Sequence, residues 1–287
     1  MNQILALPLD EAEKLQKKTP PAAPLRRERF KATSFFDIAV PEGAVALVSD
    51  VIFAQTLIVI FGESGCGKSF FTFDLCANLA AGRNWAGKET FSGAVVYISA
   101  EGARGFMKRI VAFREHSSPP KDMPFYLITE APDFGHTDGD AAALILRIRE
   151  QIDVPVALVV FDTLARAMQG ADENSAVDMS LFVDNSARLM TELNCSVAWI
   201  HHAGKDASRG ARGSSVLRAA ADTEILVEKT EAGRTATVTK QKDAESGLVL
   251  AFDLDQVELH DTEGETSPSQ AASSSISRPR TRRRRNE

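Results

Sequence analysis

The chain has 287 residues, 44% of them hydrophobic and 25% charged, enough for one sizeable α/β core and short for two. Its three cysteines, Cys66, Cys76 and Cys195, stand far apart and match no metal-ligand spacing, so they read as reduced thiols rather than a zinc module or a disulfide scaffold. The formal charge of −6 hides an asymmetry: six arginines against one glutamate make residues 278–287 +5, which leaves the rest of the chain at −11. A basic end on an acidic body is either an electrostatic hold on nucleic acid or a solvated end.

Residues 1–28 are rich in Pro, Lys and Glu, and "PPAAP" at 20–24 favours an extended backbone, so a flexible arm is expected there. The first residues are a short apolar patch followed by acids, unlike a signal peptide, and the longest apolar runs are strand-sized. A cytoplasmic protein with no membrane span is therefore expected. One continuous domain is expected over 29–260. In it "TLIVIFG" (56–62) predicts a buried strand and "KSFFTFDLCANLAAG" (68–82) a helix. "GAVVYISAEG" (93–102), "PFYLIT" (124–129), "PVALVVFD" (155–162) and "CSVAWIHH" (195–202) predict further strands. Helical patterns at 103–116, 139–152 and 176–193 separate them. "DTEILVEKT", "RTATVTKQK" and "GLVLAFDL" then read as three strands with short polar turns. Apolar strands alternating with helices call for a mostly parallel twisted sheet flanked by helices, an α/β fold, and the last three strands add an antiparallel meander. From 261 onward the Ser- and Arg-rich composition predicts a disordered tail.

Residues 62–69, GESGCGKS, fit G-x-x-x-x-G-K-[ST] at every fixed position. In that motif Gly62, Glu63, Ser64, Gly65, Cys66 and Gly67 turn backbone N–H groups inward around phosphates. Lys68 reaches the β and γ phosphates, the Ser69 hydroxyl ligates Mg²⁺, and the helix entered through Phe70 adds its positive end. The motif thus predicts ATP or GTP binding, against the alternative of a plain glycine-rich turn. Asp162 ends a neighbouring strand, where a second Mg²⁺-site carboxylate belongs, although strand-ending aspartates also serve as turn caps. Glu101 ends the strand between them and is placed to polarise an attacking water; the alternative is a turn carboxylate before Gly102. The pair His201–His202 ends another strand. One ring is expected to sense the γ-phosphate, and we place His202 in the catalytic set and His201 among the nucleotide contacts; a metal-binding or simply packed pair is the other reading.

P-loop, Glu101, Asp162 and the His pair follow one another in an order that resembles the RecA-like ATPases. The resemblance is to hexameric replicative helicases of the RepA and DnaB type, most of all the plasmid- and prophage-encoded RepA-like "AAA family" ATPases. "GESGCGKSFFTFDL", "VVYISAEGARGFMKRI", "VVFDTLARAMQGADENS", "AWIHHAGKD" and "RGSSVLRAAAD" carry it, over roughly 25–255. The resemblance implies ATP with Mg²⁺ held between the subunits of a homo-oligomeric, hexameric ring, with a neighbouring subunit supplying basic groups. The matching positions are Arg212 in "RGSS", with Arg209 near it, and Lys240 and Lys242 in "TKQKDAESG". DnaB-type helicases read K-x-R in that strand, whereas this chain reads Lys240-Gln241-Lys242 and lacks the bidentate fork of arginine there. The resemblance also turns residues 166–178 and 204–217 toward a central channel. The second is glycine-rich and basic, the first acidic, and neither has an aromatic residue to stack on bases.

Three functions follow from these features. The first is an ATP-driven motor on single-stranded DNA in plasmid, phage or prophage replication, with a replication initiator or primase as candidate partner. The second is a regulatory or loader ATPase without unwinding activity, favoured by the acidic body and by Lys242. The third is a P-loop small-molecule kinase, which the absence of an arginine-rich lid disfavours.

Overall fold

A computed structural model describes residues 33–38, 46–137, 139–203, 215–242, 244–260 and 266–271. The chain divides into two compact units, Met1–Pro41 and Glu42–Glu287. In the first, the described residues form a single 3-10 turn, Phe35–Asp37, with both phenylalanine rings exposed.

The second unit is organised around an eight-stranded sheet. Its strands are β3 (Leu57–Gly62), β4 (Ala94–Ser99), β5 (Phe125–Ile128), β6 (Val156–Asp162), β7 (Ser196–His202), β8 (Thr223–Thr230), β9 (Gly233–Gln241) and β10 (Val249–Phe252), in the order β10-β9-β8-β3-β7-β6-β4-β5. From β8 to β5 every pairing is parallel, and β9 and β10 add antiparallel strands at one edge. All six residues of β3 and of β4 are buried, as parallel strands covered on both faces require.

Helices cover both faces. Helix α1 (Lys68–Ala80) and helix α2 (Ala103–Ser117) pack with Phe71, Phe73, Phe106 and Phe113 into one apolar cluster. Helix α3 (Ala141–Gln151) and helix α5 (Ala176–Leu193) lie over the other, built on Phe134, Phe161, Phe182 and Trp199. Alternation along β7 shows how one strand feeds both cores: Ala198 and Ile200 join the first cluster, Val197 and Trp199 the second. Helix α5 starts on Ser175, whose side chain accepts from the Asp178 N–H, and stops at Asn194 in the left-handed region.

The mostly parallel sheet, the flanking helices and the antiparallel meander are those expected from the sequence. Four short pieces were not legible there. They are the hairpin of β1 (Ala46–Val48) with β2 (Ile52–Phe53), helix α4 (Leu164–Ala167), helix α6 (Ser215–Ala220), and the antiparallel pair β11 (Asp255–His260) with β12 (Thr266–Ala271). Helix α6 takes over the end of the segment read as a channel loop at 204–217. Strand β12 falls in the stretch expected to be disordered. A ladder is made of backbone hydrogen bonds, so low apolar content does not forbid it.

Candidate functional site

The C-terminal ends of β3, β4, β6 and β7 converge, and the ladder register decides what meets there. Ser99 pairs with Asp162, Asp162 with Ile200, and Gly62 with His202. In an open parallel sheet this is the edge where ligands bind. A cleft of about 420 Å³ opens over it, lined on its floor by Asp162, Thr163 and His202 and on its sides by the P-loop, Glu101 and Arg109.

The loop is held by its own geometry. Gly67 caps α1 with φ near 109°, a conformation closed to ordinary side chains, and no side chain caps the free N–H groups behind it. Gly62 passes so close to β8 that a Cβ there would collide with the Val227 carbonyl. Lys68, 6% exposed, donates from Nζ to the Gly62 carbonyl at 2.9 Å and the Glu63 carbonyl at 2.8 Å. Burial pushes its ammonium below the usual lysine range, while Cys66, Asp162 and Glu101 hold it up. A buried ammonium on two carbonyls is a cation prepared for a stronger acceptor, and phosphate oxygens supply one.

Asp162 is 4% exposed and takes hydrogen bonds from the Tyr97 hydroxyl, at 3.0 Å, and from Ser69. Burial raises its carboxyl above the ordinary aspartate value; Ser69, Tyr97 and Arg109 act against that, and Glu101 with it. The hydroxyl of Ser69 and the carboxylate of Asp162 therefore lie together, an all-oxygen pair of the kind Mg²⁺ selects. The Glu101 carboxylate is exposed at the mouth and accepts from the Thr163 hydroxyl at 3.4 Å.

Strand alternation separates the two histidines. His202 lies on the α1 face and lines the cleft, whereas His201, 1% exposed, belongs to the opposite face and does not. The sequence reading sets His201 among the nucleotide contacts; the structure places it outside this cleft. Glu63 and Cys66 line a second cavity of about 430 Å³ beyond the loop, against Val227, Glu228 and Lys229. Ser64, Gly65, Gly67, Lys68, Ser69 and Phe70 line the main cleft.

Lys240 and Lys242 sit at the other end of the sheet. Lys240 lies opposite Glu224 and Gln241 opposite Thr223, which itself pairs with Ile58 near the start of β3. Six residues earlier on β9, Arg234 borders the cleft, so Lys240 stands roughly 20 Å away along the strand at about 3.3 Å per residue. Lys240 Nζ donates to the Arg218 and Ala219 carbonyls at 2.7 and 3.4 Å, and Lys242 pairs with Asp222 at 2.7 Å. Neither lysine reaches this chain's own cleft; the resemblance assigns them to a nucleotide held by a neighbouring subunit. Arg209 and Arg212 lie outside the described residues.

Sequence reasoning missed Arg109, Arg234 and Leu254, all of which line the cleft. Arg109 lies two turns into α2, and Arg234 follows a turn at the far end of the chain; no motif marks either. Among the described residues, no group of three or more His, Cys, Asp or Glu is placed to hold a metal on its own, and no helix is long and apolar enough to cross a membrane.

Comparison with known proteins agrees with this geometry. The structure is similar to a solved ATPase domain of another protein, with a TM-score of 0.54 at 14% identity, covering 70% of this chain and 82% of that one. The likeness bears out the RecA-like fold. No curated protein matches the sequence. The profile of the AAA domain family matches residues 24–208, well over half of the chain, from the N-terminal segment through the P-loop and the Asp162 strand to just beyond the two histidines. The chain is a member of the AAA domain family.

Proposed function

We propose that the chain is a ring-forming ATPase that couples ATP hydrolysis to movement on single-stranded DNA, a replicative helicase of the RepA type serving plasmid, phage or prophage replication. The observation that carries this is the split of the phosphate-handling groups between two ends of one sheet. Lys68, Ser69, Glu101, Asp162 and His202 converge at one end, and Lys240 and Lys242 lie about 20 Å away at the other. Lysines there serve a nucleotide only if it is held by a second subunit, as in a closed ring of like copies.

Each group in the cleft then has a task. The loop N–H groups and Lys68 hold the β and γ phosphates. Glu101, at the solvent mouth, takes the proton of the attacking water. Ser69 and Asp162 would hold Mg²⁺, which would supply positive charge against the phosphates. His202, at the end of β7, meets the γ-phosphate just before the chain enters the basic segment 204–214, so the strand links the state of the nucleotide to the segment proposed to meet DNA.

The decisive experiment measures ATP hydrolysis by the full chain at low salt with and without single-stranded DNA, and then unwinding of a forked duplex. Stimulation of several-fold together with unwinding supports the motor. Hydrolysis indifferent to DNA refutes it and leaves a loader or regulatory ATPase. One observation favours that second reading: both lysines are already engaged within their own chain, by helix α6 and by Asp222.

A further inference from the structure

The cleft holds two arginines that the motif does not call for, and one of them, Arg234, has a buried N–H without an acceptor. Arg234, at the turn end of β9, pairs in register with Phe252 of β10, whose ring packs on Phe71 at 5.4 Å. The side chain is thereby laid over the P-loop: a Cβ added at Gly67 would meet Arg234 Cδ at 3.2 Å and Nε at 3.4 Å. Its Nε–H is buried and finds no hydrogen-bond partner. On the opposite wall the Arg109 guanidinium lies over the Phe70 ring, 4.0 Å from its centroid. Partial burial lowers its pKa from the usual arginine value, while Tyr97 and Asp162 hold it up.

A buried N–H without a partner costs the fold about 1–3 kcal/mol, so such groups are found where a ligand supplies the acceptor. Charge makes the same demand. Glu101 and Asp162 together outweigh Lys68, so without the arginines this wall would repel a triphosphate. With them the cleft is net positive before any metal enters. Phosphate oxygens match guanidinium in charge and in fork geometry.

We propose that Arg234 and Arg109 are phosphate ligands supplied by the same subunit that carries the P-loop, gripping the nucleotide from two walls. The proposal rests on the reading of this cleft as a nucleotide site and deepens it: the Lys240-Gln241-Lys242 segment has no arginine, whereas the chain's own cleft has two. Position and rigidity follow from the fold, because β10 fixes Arg234 and the Phe70 ring fixes Arg109.

The test is calorimetric titration of the full chain with Mg²⁺ and a non-hydrolysable ATP analogue, alongside thermal melting without nucleotide. Arg234→Ala and Arg109→Ala should each weaken binding at least tenfold, while the melting temperature without nucleotide stays level or rises. A merely structural arginine would instead lower it. Arg234→Lys and Arg109→Lys, which keep stem and charge, should fall between parent and alanine variants, since an ammonium cannot make the paired bonds. Either alanine variant binding within threefold of the parent overturns the assignment for that residue, provided Lys68→Ala has lost binding. If Lys68→Ala binds like the parent, the nucleotide reading of the cleft falls and takes this proposal with it.

Discussion

Tyr97→Phe isolates one hydrogen bond to the carboxylate at the centre of the site. Tyr97 is fully buried and its ring stacks on Phe106 at 4.3 Å, so removal of the hydroxyl leaves the apolar packing in place. What is lost is the 3.0 Å donation to Asp162, itself 4% exposed. A bond to an ionised buried group is worth about 1.5–3 kcal/mol and one to a neutral group about 0.5–1.5 kcal/mol. The cost of the variant must therefore depend on the charge of Asp162. Burial holds that carboxyl above the ordinary aspartate value, and loss of the Tyr97 donor pushes it further up. A group with a raised folded-state pKa contributes stability that is present below the unfolded value and lost as pH rises through the folded one. The variant loses more than the parent over that rise, so the destabilisation grows with pH from about 4 upward. The assay is urea unfolding without nucleotide at several pH values between about 4.5 and 8. We expect about 1.5–3 kcal/mol near pH 8, a drop in melting temperature of roughly 3–12 °C for a domain of this size, and a smaller loss at the acid end. A difference that stays constant with pH, or falls as pH rises, would refute the claim that the Tyr97 hydroxyl serves an ionised Asp162.

Three further outcomes follow from particular contacts. Gly67→Ala must hold a side chain at φ near 109° and press a methyl against Arg234 and Phe252, so it should cost roughly 1–3 kcal/mol and abolish measurable nucleotide binding, read by melting and by titration. Trp85→Phe removes the 2.6 Å donation from Nε1 to the buried Asp74 carboxylate and should destabilise by about 1.5–3 kcal/mol, with hydrolysis per folded molecule unchanged because both groups lie outside the cleft. Lys240→Met frees the Arg218 and Ala219 carbonyls that its ammonium caps; if the lysine acts on a neighbour's nucleotide, hydrolysis should fall at concentrations where subunits assemble and stay at the parent level where they are dilute.

Much of the fold was legible because the apolar runs are strand-length and the helices between them are strongly patterned. "LIVIFG" and "AVVYIS" are apolar or aromatic up to their last residue, and a strand with two dry sides belongs in the middle of a parallel sheet. Helix α5 matches the pattern at 176–193, with the Ser175 side chain capping its start and Asn194 ending it in the left-handed region. The missed pieces lack such local signals. Helix α6 has six residues, too short for a periodic pattern to register, and β11 with β12 depends on partners that find each other only through the ladder.

The site divides along the same line. Residues that act through a fixed local motif, such as Lys68 and Ser69, were readable, because the loop that presents them is written in consecutive positions. Asp162 was readable as a strand end and Glu101 follows two residues after one, since parallel strands in register bring their C-terminal tips to one edge whatever the loops do. The two histidines show the limit of that reasoning. Both end the same strand, but the pleat sends His202 into the cleft and His201 into the opposite core, and sequence alone gives the alternation without the side. Arg234 and Lys240 show it more sharply. They lie on one strand, yet antiparallel pairing with β8 puts Arg234 at the cleft and Lys240 at the far end of the sheet. The direction of a strand, which no residue type encodes, decides which cation borders the chain's own cleft and which lies at the opposite end of the sheet.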